Sequence, residues 1–154
     1  MFERILVPMD GSRFSTQALD YAIEIAKRFC SETILMRVIT PAARKDVLAL
    51  SAEADEVARE SAQVQDRRNI EQAKRYLGTK IQQVTAQAVK GSTHVVVGDP
   101  AQSIIEFCKK NEVNLIVMMT HGKSGFKRAI LGSVADRVIR ESGLPVLAIR
   151  SPRG

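Results

Sequence analysis

Residues 115–133 read LIVMMTHGKSGFKRAILGS: a wholly apolar run, a basic stretch punctuated by glycine, and Gly132-Ser133 ahead of a new amphipathic segment. Leu115 to Met119 shows no polar alternation, which is how a strand covered on both faces is written. In the segment that follows, Val134, Val138 and Ile139 mark the inner face of a helix. Ser133 with Asp136 resembles a shortened capping box, and Gly143 with Pro145 ends the helix. Val146-Leu147-Ala148-Ile149 is then a further apolar strand. Strand, loop, helix and strand in this order make a parallel βαβ unit.

The same alternation extends back to the amino terminus. Ile5-Leu6-Val7 is a short buried strand closed by Pro8, Asp10, Gly11 and Ser12. Leu19, Ala22, Ile23, Ala26 and Phe29 recur at helical spacing, with Ser12 or Ser15 as N-cap and Lys27 and Arg28 complementing the carboxyl end of the dipole. Thr33-Ile34-Leu35-Met36 and Val38-Ile39 form a second strand, broken by Thr40-Pro41. Residues 42 to about 65 form a variable polar segment, and Ile70, Ala73 and Leu77 then carry a helix that Gly78 stops. Val84, Ala86 and Ala88 alternate and Val95-Val96-Val97 is β-branched, giving one strand or two short ones interrupted at Gly91-Ser92. Asp99-Pro100 reads as N-cap and first-turn proline of a helix buried through Ile104, Ile105 and Cys108.

The expected architecture is α/β: one domain over residues 1–150, with a tail at 151–154, built as an open, doubly wound, parallel five-stranded sheet with helices on both faces. Such sheets bind ligands beyond the strand carboxyl ends, where the winding reverses. That rule singles out Pro8 to Ser12, Val38 to Pro41 and Thr120 to Ser133.

Composition narrows the partners. A chain of 154 residues, 45% hydrophobic and 26% charged, encloses one core. It contains no run of about 18 apolar residues, and Met1-Phe2-Glu3-Arg4 leads straight into a strand without a signal-type apolar region, so the expectation is a cytoplasmic protein without a membrane anchor. The formal charge of +6 suits an anionic partner, but lysine and arginine are dispersed. With no Trp, two Tyr and five Phe, platforms for stacking nucleic-acid bases are lacking, and phosphate fits better. Cys30 and Cys108 have no metal or redox spacing and read as reduced core thiols.

A glycine-containing loop that opens onto a helix N-terminus offers unpaired amides and a positive dipole end, the ingredients of a phosphate cradle. On the plainer reading the same glycines turn the chain and cap a helix. Gly122-Lys123-Ser124 does not complete a Walker A loop, because the required glycine position holds Val117. Lys123, Lys127 and Arg128 are either solvated surface charge or neutralise phosphates. His121 has no paired carboxylate or nucleophile near it in sequence, so no catalytic residue is assigned.

Three stretches together resemble the universal stress protein family: Ile5-Leu6-Val7-Pro8-Met9-Asp10-Gly11-Ser12, Gly98-Asp99-Pro100-Ala101, and Thr120-His121-Gly122 through Leu131-Gly132-Ser133-Val134. The likeness spans the chain and implies a Rossmann-like fold of the adenine nucleotide alpha hydrolase type. The family's ATP-binding branch carries Gly, two residues, Gly, nine residues, then Gly with Ser or Thr. Gly122 and Gly132-Ser133 match, whereas Met119 stands in the first glycine position.

Carried over by position, the resemblance implies that Asp10 bonds the adenine or ribose side of a nucleotide and Pro8 lines the pocket. Val38 would offer backbone groups to adenine, while Met119, Thr120, His121, Gly122, Gly132, Ser133 and Val134 would surround ribose and phosphates. It also implies ATP, ADP or AMP as ligand, a magnesium ion able to bridge the phosphates, at most slow hydrolysis, and a homodimer through the last strand. The expected function is a nucleotide-dependent stress-response switch or sensor. The alternative is a dimeric interaction protein that has lost the nucleotide, with Met119 marking the loss.

Overall fold

The computed structural model describes residues 1–12, 14–42, 52–120 and 131–150, with the backbone alone at 52–55. Its elements are β1 (Arg4–Pro8), α1 (Ser15–Phe29), β2 (Glu32–Ile39), α2 (Ala52–Thr85), β3 (Lys90–Val97), α3 (Pro100–Lys110), β4 (Leu115–Met119), α4 (Ser133–Glu141) and β5 (Val146–Ile149). The strands form one parallel sheet in the order β3-β2-β1-β4-β5, the doubly wound arrangement expected from the sequence. Because strand side chains alternate, Ile5, Val7, Leu115 and Val117 pack on one face with α1 and α2. Leu6, Ile34, Ile116 and Met118 pack on the other with α3 and α4.

Several local expectations hold in detail. Asp99 caps α3 by accepting the Gln102 amide at 2.9 Å, with Pro100 in the first turn. Lys27 and Arg28 occupy the last turn of α1. At the start of that helix, by contrast, the N-cap is neither of the expected Ser12 and Ser15 but Phe14, which makes no side-chain cap; Ser12 and Ser15 are instead joined to each other, the Ser15 amide donating to Ser12 Oγ at 3.3 Å and Ser15 Oγ to the Ser12 carbonyl at 2.7 Å. Cys108 is buried, and desolvation pushes its thiol up to about 12.

Others are corrected. Gly78 does not stop a helix: α2 runs through it to Thr85, because Leu77, Ile81 and Val84 continue the buried stripe begun at Ala73. The stop is Ala88, at φ 58°, with the Val89 amide returning to the Val84 carbonyl in a Schellman-like closure. Val84, Ala86 and Ala88 are therefore not strand. β3 is one continuous strand in unbroken register with β2, from Glu32↔Lys90 to Ile39↔Val97, with no bulge at Gly91. Glycine leaves room there for Ile81 of α2, whose Cδ1 a Cβ would meet at 2.6 Å. From Ala52 the polar segment is helix, while 43–51 and the tail at 151–154 lie outside the described residues.

Cys30 is exposed rather than in the core, and at φ 54° it forms the left-handed stop of α1. On α4, Ala135 and Val138 are buried but Ile139 is 39% exposed. The shortened capping box is not made: Gly132 is the N-cap, with no side-chain cap. Asp136 instead pairs with Arg140 at 2.7 Å.

Candidate functional site

The sheet opens where its winding reverses. β1 pairs with β2 through five residues, as far as Pro8↔Met36, whereas β1 pairs with β4 only at Ile5↔Leu115 and Leu6↔Ile116. β4 meanwhile stays paired with β5 to Met119↔Ile149. The carboxyl ends of β1 and β4 are thus each held on one side and not to each other, and a cavity of about 280 Å³ lies between their tips.

Of the residues singled out from sequence, Pro8, Asp10, Val38, Met119, Thr120, Gly132, Ser133 and Val134 all line this cavity. His121 and Gly122 lie outside the described residues, as do Lys123, Lys127 and Arg128. Asp10 serves the turn after β1, where its Oδ1 accepts the Ser12 amide at 2.8 Å. Among the described residues its second oxygen accepts nothing. The turn also needs Gly11, whose φ is +80°.

Backbone alternation fixes what Val38 presents. The Met36 carbonyl takes the Met9 amide at 2.7 Å, and the Ile39 carbonyl takes the Gly98 amide at 2.9 Å on the β3 side. Val38 therefore points its amide and carbonyl to the same edge as Met36, beyond the end of β1 and toward the cavity.

At the opposite end, the Gly132 amide bonds the Thr120 carbonyl at 2.6 Å, closing the loop, and so is not available to an anion. Among the described residues, the first-turn amides of α4 at Ser133, Val134 and Ala135 have no partner, and the N-cap Gly132 supplies no side-chain cap. Their positive dipole end faces the cavity they line.

Sequence reasoning singled out Met119 but missed the methionines gathered around it. Met9, Met36, Met118 and Met119 all line the cavity, two from each face of the sheet. Met9, Met118 and Met119 follow or end β1 and β4, whereas Met36 lies inside β2 opposite Pro8, so only part of the cluster could have been read from strand ends. Arg37 was also missed, since one cation inside a strand carries no motif. Its Nη1 donates to the Met9 carbonyl at 3.4 Å, its Cζ lies 5.8 Å from the Tyr76 ring centre, and its Nε is buried without a partner. An unmet buried donor costs about 1–3 kcal/mol.

Met119 is 8% exposed and belongs to the core beneath α1. Its side chain thus both lines the cavity and packs into the core.

The family model for the universal stress protein family matches residues 1–150. Universal stress protein MJ0531 of Methanocaldococcus jannaschii is 34% identical over 99% of this chain and 85% of its own length. Universal stress protein YxiE of Bacillus subtilis is 30% identical over 97% of this chain and its entire length. Among solved structures, hypothetical protein MJ0577 superposes with a TM-score of 0.84 at 27% identity, covering 100% of this chain and 99% of its own.

Proposed function

This chain belongs to the universal stress protein family, and from that premise we propose that it binds an adenine nucleotide, ATP, ADP or AMP, as a cytoplasmic stress-response switch or sensor. The observation that carries the reading is the cavity at the split between β1 and β4, with side-chain and strand-edge groups at one end and uncapped helix amides at the other. A purine nucleotide has that polarity: a flat ring with donors and acceptors, then an anion. The four thioethers add flexible, polarisable walls suited to an aromatic ring. Solved universal stress proteins in complex with cAMP and, from Arabidopsis thaliana, with AMP bound share the fold at 21% and 17% identity.

In this arrangement the base lies against Pro8, Asp10 and Val38, and the phosphates meet Ser133 and Val134, with Met119, Thr120, His121, Gly122 and Gly132 about the ribose and phosphates. Among the described residues no group of three His, Cys, Asp or Glu side chains could hold a metal, so a magnesium ion would arrive on the nucleotide's own phosphates. Among the described residues the one carboxylate lining the cavity is Asp10, whose Oδ1 is taken by the Ser12 amide, and on this reading hydrolysis is slow at most. No helix among the described residues is long and apolar enough to cross a membrane.

Edge strand β5 is short and partly exposed at Leu147, and we place a homodimer contact there. Met119 in a family glycine position favours the second reading, a dimeric interaction protein without nucleotide.

Denaturing freshly purified protein should release an adenine nucleotide identifiable by chromatography. Calorimetry with millimolar adenylates and magnesium should register heat and thermal protection; silence in both measurements would remove the nucleotide reading and leave the second.

A further inference from the structure

We infer that Arg37 reads the base, and that it gives the cavity affinity for purines carrying an oxygen at ring position 6 as well as for adenine. The inference rests on the nucleotide reading above and concerns a residue which that reading leaves unused.

Arg37 is in the wrong place to serve phosphate. It sits on β2, two strands from β4 in the sheet order, a separation of roughly 10 Å at the usual strand spacing. It also alternates onto the α1 and α2 face with Leu35, whereas α4 packs on the other face. Its guanidinium lies instead over Gly11, where an added Cβ would run into Nη1. The fork therefore rests beside the residue that follows Asp10, at the base end of the cavity.

Its donors are underused. Nη1 makes a long 3.4 Å bond to the Met9 carbonyl, Nε makes none, and no described carboxylate pairs with the side chain. Tyr76 supports the guanidinium from below through its ring, and the Tyr76 hydroxyl is itself held by Ser15 Oγ at 3.2 Å. Nε is buried out of a ligand's reach, but a braced guanidinium on the cavity wall can offer the remaining N–H groups of its Nη atoms to an acceptor on the ligand.

Asp10 offers the complementary acceptor. A carboxylate alone selects a base edge rich in donors, such as the 6-amino group of adenine. A carboxylate beside a guanidinium also matches guanine and hypoxanthine, because an arginine fork bonds O6 and N7 of such a ring together.

Binding of ATP, GTP, ITP and purine riboside triphosphate, which has no substituent at ring position 6, should be titrated on the full chain with magnesium. For the parent, GTP and ITP should bind within about tenfold of ATP, and ITP at least about fivefold more tightly than the unsubstituted purine. Arg37→Met keeps an apolar stem over Tyr76 and should weaken GTP and ITP about tenfold or more, while ATP moves less than about threefold. Arg37→Lys should fall between the two, having a point charge in place of the fork.

Equal losses for ATP and GTP in Arg37→Met would show a merely structural or general charge role and overturn the inference. So would a parent that binds ATP but discriminates against both 6-oxo nucleotides by more than about a hundredfold. Should Arg37→Met fail to fold, the ITP comparison on the parent decides alone. A parent that binds no nucleotide removes the functional reading itself, whereas ATP binding with an unmoved base preference removes only the role of Arg37.

Discussion

The two ends of the cavity are built from different parts of the chain's chemistry. At the β1 and β2 tips the contacts come from particular side chains, Asp10 and Arg37, together with one strand residue, Val38, left without a neighbour on its β1 side. At the α4 end the donors are main-chain amides that any residue would supply, and what varies is only whether side chains leave room for a ligand to approach. Substitutions at the first end should therefore change which ligand binds. At the second they should change whether anything binds, unless they also disturb the core.

Met119 tests the boundary between those cases and should give the largest energetic effect. It is almost fully buried in the α1-side core, so Met119→Gly removes a packed side chain and places glycine in a central strand. Denaturant titration should show a loss of about 2–5 kcal/mol in stability. Affinity for ATP, measured well below the melting transition, should move less than about threefold (under ~0.7 kcal/mol). A tenfold gain would mean that methionine had been blocking the mouth.

Gly132→Val follows. Gly132 has an extended conformation, φ −71° and ψ 154°, which valine adopts without strain, and its amide bond to Thr120 can persist. A valine side chain there stands beside the α4 amides, so ATP affinity should fall at least about tenfold, or ~1.4 kcal/mol, while the loss of an N-cap glycine should cost about 1 kcal/mol or less in stability. Full binding by a folded Gly132→Val variant would show that the anion does not sit at this helix.

Asp10→Asn acts at the other end and should cost less. Asparagine retains a carbonyl oxygen for the Ser12 amide, preserving the turn, but removes the charge offered to the base. A loss of about 1 kcal/mol in ATP affinity, near fivefold, is the expected calorimetric result. Unchanged affinity would assign Asp10 to the turn alone.

Most of the scaffold could be read from local pattern, because the strands are short apolar runs and the α3 cap is a two-residue signal at Asp99-Pro100. The reading failed where tertiary contact overrode a local sign. Gly78 looks like a helix stop, yet the burial of Leu77 and Val84 carries α2 past it, and glycine helps β3 by admitting Ile81 at Gly91. Positions that form the cavity were accessible from topology together with the family resemblance. Arg37 was not, because its importance arises from meeting Gly11, Met9 and Tyr76 across 26 to 39 residues of chain. The splay between β1 and β4 was also hidden, since register is a property of pairs of strands and neither strand states it alone.

The smallest effect should come from a residue that touches neither end directly. Arg137, in α4, donates from Nη1 to Asp99 Oδ1 at 3.0 Å and from Nη2 to Gln102 at 2.7 Å, tying α4 to the start of α3. The same Asp99 oxygen already accepts the Gln102 amide as the α3 cap, so Asp99 retains a partner when the guanidinium is removed. Both charged side chains are more than a third exposed, and solvent screens the pair. Arg137→Gln should therefore cost only about 0.5 kcal/mol in denaturant titration, with the difference shrinking in molar salt. ATP affinity should stay within about twofold, because Ala135 and Val138 in the core already fix the helix that presents the amides. A fivefold loss of affinity at unchanged stability would mean that this surface tie, and not the packing beneath it, aims the main-chain end of the cavity.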